Sequence, residues 1–202
     1  MIIYEDLILA CWAVFLVVWT VSAFNVKRDL RGGYGSVWRR FSLLRFIIAA
    51  AIIIFVAERV AAGRAHFTGS PEAVIFSRGI YAPSPLLGWI AAAISVIGVG
   101  FAIWARMHLG RNWSPRPAVK VDHELVTTGP YAYVRHPIYT GMIFMTFGAA
   151  LTGSFFGIGV FAVSFIAFIP RIRKEEKIML ELFPNEYPEY RKRTKALLPF
   201  LW

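Results

Sequence analysis

Apolar residues in this chain run in long blocks, and polar residues gather between the blocks. Blocks over about 7–24, 41–62 and 86–105 are each long enough to cross a bilayer. The second carries Arg45 near one end and Glu58-Arg59 near the other, where long side chains reach the interface. Pro83-Ser84-Pro85 breaks the chain ahead of the third. The fourth block, 138–169, is too long for one crossing: as a continuous helix it would reach ~48 Å against a ~30 Å hydrocarbon core. Thr152-Gly153-Ser154 interrupts it with turn residues. The pattern therefore predicts two short antiparallel helices, 138–151 and 155–169, making five transmembrane helices with the last two a short hairpin. A helix over about 171–183, a break at Pro184 and a short helix over about 186–195 follow, and Phe200 and Trp202 suit an interfacial ending. The expectation is an all-α integral membrane protein with cytoplasmic C-terminal helices, folded as one domain over 1–202.

Charge fixes the orientation of that scheme. Lys27, Arg28, Arg31, Arg39 and Arg40 follow the first block, and Arg106, Arg111, Arg116, Lys120 and Arg135 follow the third. Arg171, Arg173, Lys174, Lys177, Arg191, Lys192, Arg193 and Lys195 follow the fourth. With five crossings all three basic segments face the cytoplasm, and the acidic start (Glu5, Asp6) faces outward, in line with the positive-inside rule. Reading 138–169 as a single crossing would export the most basic segment. The formal charge of +10 thus reads as topology signals and contacts to anionic lipid headgroups, not as a nucleic-acid surface. The chain is 57% hydrophobic, above the roughly 45–50% of soluble domains. The single cysteine, Cys11, lies inside the first block, which excludes an internal disulfide and any multi-cysteine metal site. It reads as a small buried hydrophobe. That first block is also too long, and lacks the basic leader and cleavage site, to be a removed signal peptide. Gly153 and Gly157 form a small-xxx-small pair, which reads as helix packing.

The chemistry-bearing residues frame the fourth block. Ahead of it stands Tyr131-Ala132-Tyr133-Val134-Arg135-His136-Pro137-Ile138-Tyr139, and behind it Arg171-Ile172-Arg173-Lys174-Glu175-Glu176. A tight hairpin would bring Arg135, His136 and Tyr139 to Arg171, Glu175 and Glu176. Arg171 and Glu175, four apart, share a helix face; on a surface they would be an ordinary ion pair, but they lie within a turn of a membrane segment, where charge is costly. Such a cluster has the donors and acceptors to hold a zwitterion, with arginine for a carboxylate and glutamate for an ammonium. The sequence contains no Gly-x4-Gly-Lys loop, no His-Glu-x2-His helix and no Gly-x-Ser-x-Gly elbow. His66, His108, His123 and His136 show no metal-ligand spacing, so no metal site is expected.

These residues resemble the isoprenylcysteine carboxyl methyltransferase family and its phospholipid methyltransferase relatives, membrane enzymes that use S-adenosylmethionine. The family's Arg-His-Pro-x-Tyr and later Glu-Glu are matched by Arg135-His136-Pro137-Ile138-Tyr139 and Glu175-Glu176. Similarity extends through His123-Glu124-Leu125-Val126-Thr127-Thr128-Gly129-Pro130-Tyr131, through Phe183-Pro184-Asn185-Glu186-Tyr187-Pro188-Glu189-Tyr190-Arg191, and to Leu109-Gly110-Arg111-Asn112-Trp113-Ser114 of bacterial-type members. The resemblance implies cofactor-binding segments over about 109–141 and 171–202. It implies cofactor contacts from His123, Leu125 and Val126, a pocket lined by Tyr131, His136, Pro137 and Tyr139, and Glu175 on the cofactor's ammonium. Arg171 would face the methyl acceptor, making Arg171 and Glu175 the catalytic pair, and Arg135 and Glu176 would support the pocket. Thr194-Lys195 stands where many relatives have valine and proline, and animal and yeast members have more transmembrane helices.

The expected activity is methyl transfer to a lipophilic acceptor entering from the bilayer, with a prenylated cysteine carboxylate as the favoured acceptor. Two other readings compete. One is an NADPH-dependent sterol-type reductase on a related scaffold, whose members carry Arg-His-x-Asn-Tyr where this chain has Pro137-Ile138. The other is a non-catalytic membrane binding protein.

Overall fold

A computed structural model of the chain describes residues 3–22, 80, 83–113 and 124–198. Its helices are α1 (Ile3–Ser22), α2 (Pro85–Leu109), α3 (Pro137–Ala150), α4 (Phe155–Leu182) and α5 (Glu186–Arg193), with 3-10 turns at Gly110–Asn112 and Gly129–Ala132. Among the described residues the extended pairing is a parallel bridge between Val134 and Lys195. Among the described residues three helices are long and apolar enough to cross a membrane (Tyr4–Ser22, Pro85–Leu109 and Phe155–Leu182), and α3 is a shorter apolar helix. Their outer faces carry exposed Val14, Val17, Ile97, Met107, Val163 and Ile166, as lipid contact requires. This is an all-helical integral membrane protein. The block predicted over 41–62 lies outside the described residues.

Local chemistry sets the ends of these helices. α1 begins four residues before the predicted 7, because Glu5 and Asp6 sit in its first turn, where the positive end of the helix dipole favours acids. Pro85 opens α2 under the Ser84 cap, whose hydroxyl accepts from Leu87 N at 3.3 Å. α2 runs four residues past the predicted 105, with Arg106 and His108 in its last turn. Arg106 is buried and donates to Ser22 O at 2.6 Å and Gly110 O at 2.9 Å, satisfying the carbonyl ends of two helices. Pro137, fully buried, opens α3 at its first turn.

The hairpin predicted at Thr152-Gly153-Ser154 is present. Gly153 takes φ +76°, a left-handed value that suits glycine. Ser154 caps α4, accepting from Gly157 N at 3.1 Å. The arms are antiparallel: Phe147 meets Phe161 at 5.4 Å between ring centroids, and Tyr139 stacks on Phe168 at 4.9 Å. Gly157 packs against the Ala149 carbonyl, as expected of a packing glycine, whereas Gly153 serves the turn.

Two further predicted boundaries need correction. The separate helices over 155–169 and 171–183 are one continuous helix that runs through Pro170. Proline removes one backbone hydrogen bond, but side chains on both sides of it are pinned to α3, by Phe168 stacking and Arg171 bonding, so tertiary contacts carry the helix across the break. At the other end, α5 stops at Arg193 rather than 195, because Thr194 turns to φ −127°, ψ 151° and joins the extended pairing with residues 134–136.

The core lies along the α2–α3 seam, which small residues bring to backbone contact. A Cβ on Gly98 would fall 2.6 Å from Gly141 O, and one on Gly141 would fall 2.5 Å from Gly98 O. Ser95, Ala91, Ala92, Ala102 and Ala105 continue the seam and are fully shielded. Ser95 Oγ donates across it to Met145 O at 3.2 Å. α1 lays Tyr4, Ile8, Cys11 and Phe15 against α2 at helical spacing, so Cys11 is the buried hydrophobe expected of it.

Candidate active site at the polar end of the hairpin

The site forms where both arms of the hairpin turn polar. On the α3 side the chain enters through Gly129–Ala132. Gly129 takes φ +59° directly over the His108 ring, which leaves no room for a side chain. His108 is fixed in turn by Thr128 Oγ1 at 2.8 Å. Tyr131 is buried, stacks on His108 at 6.4 Å, and its carbonyl accepts from the Tyr190 hydroxyl at 2.7 Å. Val126 packs on the same cluster of Ala105, Trp113, Tyr131 and Ile138, and Leu125 is half-buried.

Tyr139 lies at the centre of the first of two linked clusters. Its hydroxyl donates to Glu175 Oε1 at 2.6 Å and accepts from Arg171 Nε at 2.5 Å. Arg171 Nε also reaches Glu175 Oε1 at 3.2 Å, one helical turn along α4. Stacking on Phe168 at 4.9 Å and on His136 at 5.7 Å holds the Tyr139 ring from two sides. His136 joins the clusters: Nδ1 faces Glu175 Oε2 at 3.6 Å and Nε2 faces Glu176 Oε1 at 3.4 Å. Both contacts are within ion-pair reach, yet His136 Nε2 makes no well-formed hydrogen bond. Burial alone would lower the His136 pKa, but the two glutamates outweigh it and the net shift is upward from the ordinary histidine value.

The second cluster is built on Arg135 and Glu176. Arg135 Nε donates to Glu176 Oε1 at 2.7 Å, and Arg191 Nε lies 3.7 Å from Glu176 Oε2. Arg135 also donates to the carbonyls of Thr194 and Arg191. The segment after α5 runs beside it as a strap: Arg135 N donates to Lys195 O at 2.8 Å, His136 N to Ala196 O at 3.0 Å, and Thr140 Oγ1 to Leu197 O at 2.6 Å.

The structure thus brings together Arg135, His136, Tyr139, Arg171, Glu175 and Glu176, with Tyr131, Val126 and Leu125 on the approach to them. Pro137 acts at the helix start. His123 lies outside the described residues. Arg191, Phe168 and the strap were not among the expected site residues. For Arg191 a signal existed in the motif stretch 183–191. The strap acts through carbonyl oxygens, which no side-chain pattern announces. At the Thr194-Lys195 departure the contacts to Arg135 run through backbone carbonyls, and Thr194 Oγ1 donates to Tyr190 O at 2.7 Å. Among the described residues no group of three or more His, Cys, Asp or Glu side chains is placed to hold a metal ion.

Antiparallel apolar helices that close a charged, aromatic-walled cluster at one end define a helical membrane protein with a polar site at the end of its hairpin. Residues 90–181 match the sequence pattern of the isoprenylcysteine carboxyl methyltransferase family. The chain is 27% identical over 217 residues to the protein-S-isoprenylcysteine O-methyltransferase of Schizosaccharomyces pombe, an alignment covering 91% of this chain and 87% of that protein. It is 35% identical over 118 residues to a nickel-cobalt-cadmium resistance protein of Alcaligenes xylosoxydans xylosoxydans, covering 56% of this chain and 53% of that one. A solved structure of the eukaryotic intramembrane Ras methyltransferase of the isoprenylcysteine carboxyl type superposes with a TM-score of 0.54 at 24% identity, over 74% of this chain and 52% of the other. The chain therefore spans about half the length of the Alcaligenes protein and of the solved methyltransferase. The likeness to the isoprenylcysteine carboxyl methyltransferase family is thus carried by residues 90–181, somewhat under half of the chain.

Proposed function

We propose that this protein is an S-adenosylmethionine-dependent methyltransferase acting on a lipophilic acceptor that partitions into the bilayer, with a carboxylate such as that of a prenylated cysteine as the favoured acceptor. The observation that carries this reading is the linked set Arg171–Tyr139–Glu175–His136, closed across the hairpin at the foot of apolar helices.

The donor set fits the amino-acid end of such a cofactor. Glu175 Oε1 is occupied by Tyr139 and Arg171, whereas Oε2 faces His136 at 3.6 Å, beyond hydrogen-bond range, and has capacity for an ammonium group. When bound, S-adenosylmethionine supplies a methyl group on a positively charged sulfur. Glu175 would hold the ammonium, with His136 and Tyr139 keeping that carboxylate turned toward it. Arg171 would face the acceptor and hold its carboxylate for attack. Its exposure supports this role: 36% of the Arg171 side chain is accessible, against 20% or less for Arg135, His136, Glu175 and Glu176. Much of the acceleration would come from this placement. The apolar arms keep water from the reacting pair, which favours a reaction in which opposite charges cancel. No proton transfer and no metal ligand is required of the chain for this step.

In the membrane we assign five crossings, with the N-terminus outside and the cluster and C-terminus cytoplasmic, on the distribution of Lys and Arg between the apolar blocks. The cofactor then arrives from the cytoplasm and the acceptor sideways from the lipid. The test is methyl transfer by purified protein from labelled S-adenosylmethionine to a farnesylated cysteine analogue and to a lipid extract. Glu175→Gln should weaken cofactor binding by ~10-fold or more, and Arg171→Ala should raise the acceptor KM. Wild-type affinity and turnover in both variants, or binding of NADPH in place of S-adenosylmethionine, would remove the assignment.

A further inference from the structure

We propose that Glu176 and Arg135 are positioning residues rather than cofactor ligands. Through them the C-terminal strap sets the orientation of His136, and through His136 that of Glu175. This rests on the methyltransferase reading above. Glu176 has little capacity left for a ligand. Its Oε1 is held by Arg135 Nε at 2.7 Å and approached by His136 Nε2 at 3.4 Å, and its Oε2 faces Arg191 at 3.7 Å. Only 14% of the Glu176 side chain and 10% of the Arg135 side chain are accessible. Arg135 Nη1 donates to the carbonyls of Arg191 and Thr194, and the Arg135 amide donates to Lys195 O. A guanidinium fork engaged with a carboxylate and with two carbonyls has little freedom to turn toward a ligand.

The connection runs in one direction through space. Tyr187 and Tyr190 are buried and seat α5, and the Tyr190 hydroxyl is bonded to Tyr131 O. The strap leaves α5 and pairs with residues 134–136 through Lys195 O and Ala196 O. Arg135 carries that register to Glu176, which faces one ring nitrogen of His136 while Glu175 faces the other. The two adjacent glutamates therefore divide the labour: Glu175 addresses the cofactor, and the charge of Glu176 biases the orientation of the histidine that faces Glu175.

The test compares Glu176→Gln, Arg135→Met and the double variant by calorimetric titration with S-adenosylmethionine and by steady-state methylation. Each single change should raise the cofactor Kd about tenfold, and the double should cost no more than either, because both break one connection. At saturating cofactor kcat should stay within about twofold and the acceptor KM should not move; general structural damage would instead lower the active fraction and leave both affinities intact. In ligand-free protein, amide exchange at Arg135 and His136 should speed up in both single variants. Arg191→Met, at a half-exposed position, provides a milder variant with a loss of about two- to threefold in cofactor affinity. Additive losses in the double variant, or unchanged exchange at Arg135 and His136, would overturn the proposal. If the wild-type protein bound no S-adenosylmethionine, the functional reading would fall, and the exchange data would still decide the clamp.

Discussion

The α2–α3 seam and the polar end of the hairpin solve opposite problems a few turns apart. Along the seam Gly98, Gly141 and Gly148 remove side chains so that two backbones touch, and the order there comes from shape. At the polar end Arg135, His136, Tyr139, Arg171, Glu175 and Glu176 fill the space with charge and hydrogen bonds, and the order comes from pairing. Water gives apolar helices no reason to associate inside lipid, so the seam relies on close packing. The charged end lies where lipid gives way to water, and there every ion needs a partner. The seam therefore fixes α3 against α2, and the polar cluster fixes α3 against α4.

Three changes separate these two kinds of order. The largest effect belongs to the seam: Gly141→Leu drives a side chain into Gly98 O and the Ala102 backbone, and should cost about 3 kcal/mol or more, seen as loss of a monodisperse, cooperatively melting protein in detergent. A variant that melts like wild type would mean that the seam is looser than described. Next is Tyr139→Phe, which keeps the stacked ring and removes the hydroxyl between Arg171 and Glu175. Losing these two hydrogen bonds to charged groups should cost roughly 1.5–3 kcal/mol of stability, seen as a lower melting temperature with helix content unchanged by circular dichroism. The smallest effect is one of pH. His136 has its pKa raised in the folded protein, so its stabilising contribution is fully present below its unfolded value of about 6.5 and is lost as pH rises through the raised folded value. The gap in melting temperature between wild type and His136→Gln should therefore narrow from pH 6 to pH 9. A gap that widens would mean that His136 is held neutral.

Much of the polar end was legible in the sequence because its residues carry charge and the turn between them is marked. Thr152-Gly153-Ser154 named the reversal, and the reversal alone places Tyr139 opposite Arg171 and Glu175. The seam was not legible in the same way. Gly98, Gly141 and Gly148 lie inside apolar blocks where small residues are common, and only the facing helix gives their spacing meaning. The continuous α4 was missed because Pro170 is a strong local signal that contacts to α3 override. The strap was missed for a different reason: its information sits in carbonyl oxygens that every residue possesses.

The 14 residues of α3 rise only ~21 Å, against ~30 Å of hydrocarbon. In the five-crossing arrangement proposed above, a hairpin with so short an arm would thin the bilayer around it or leave one end below the headgroup plane. The charged end is tethered to that same arm, so its depth follows the thickness of the surrounding bilayer. On the function proposed above, acyl-chain length and sterol content would then govern how easily a lipophilic acceptor in the leaflet reaches Arg171, and the membrane would share in setting specificity.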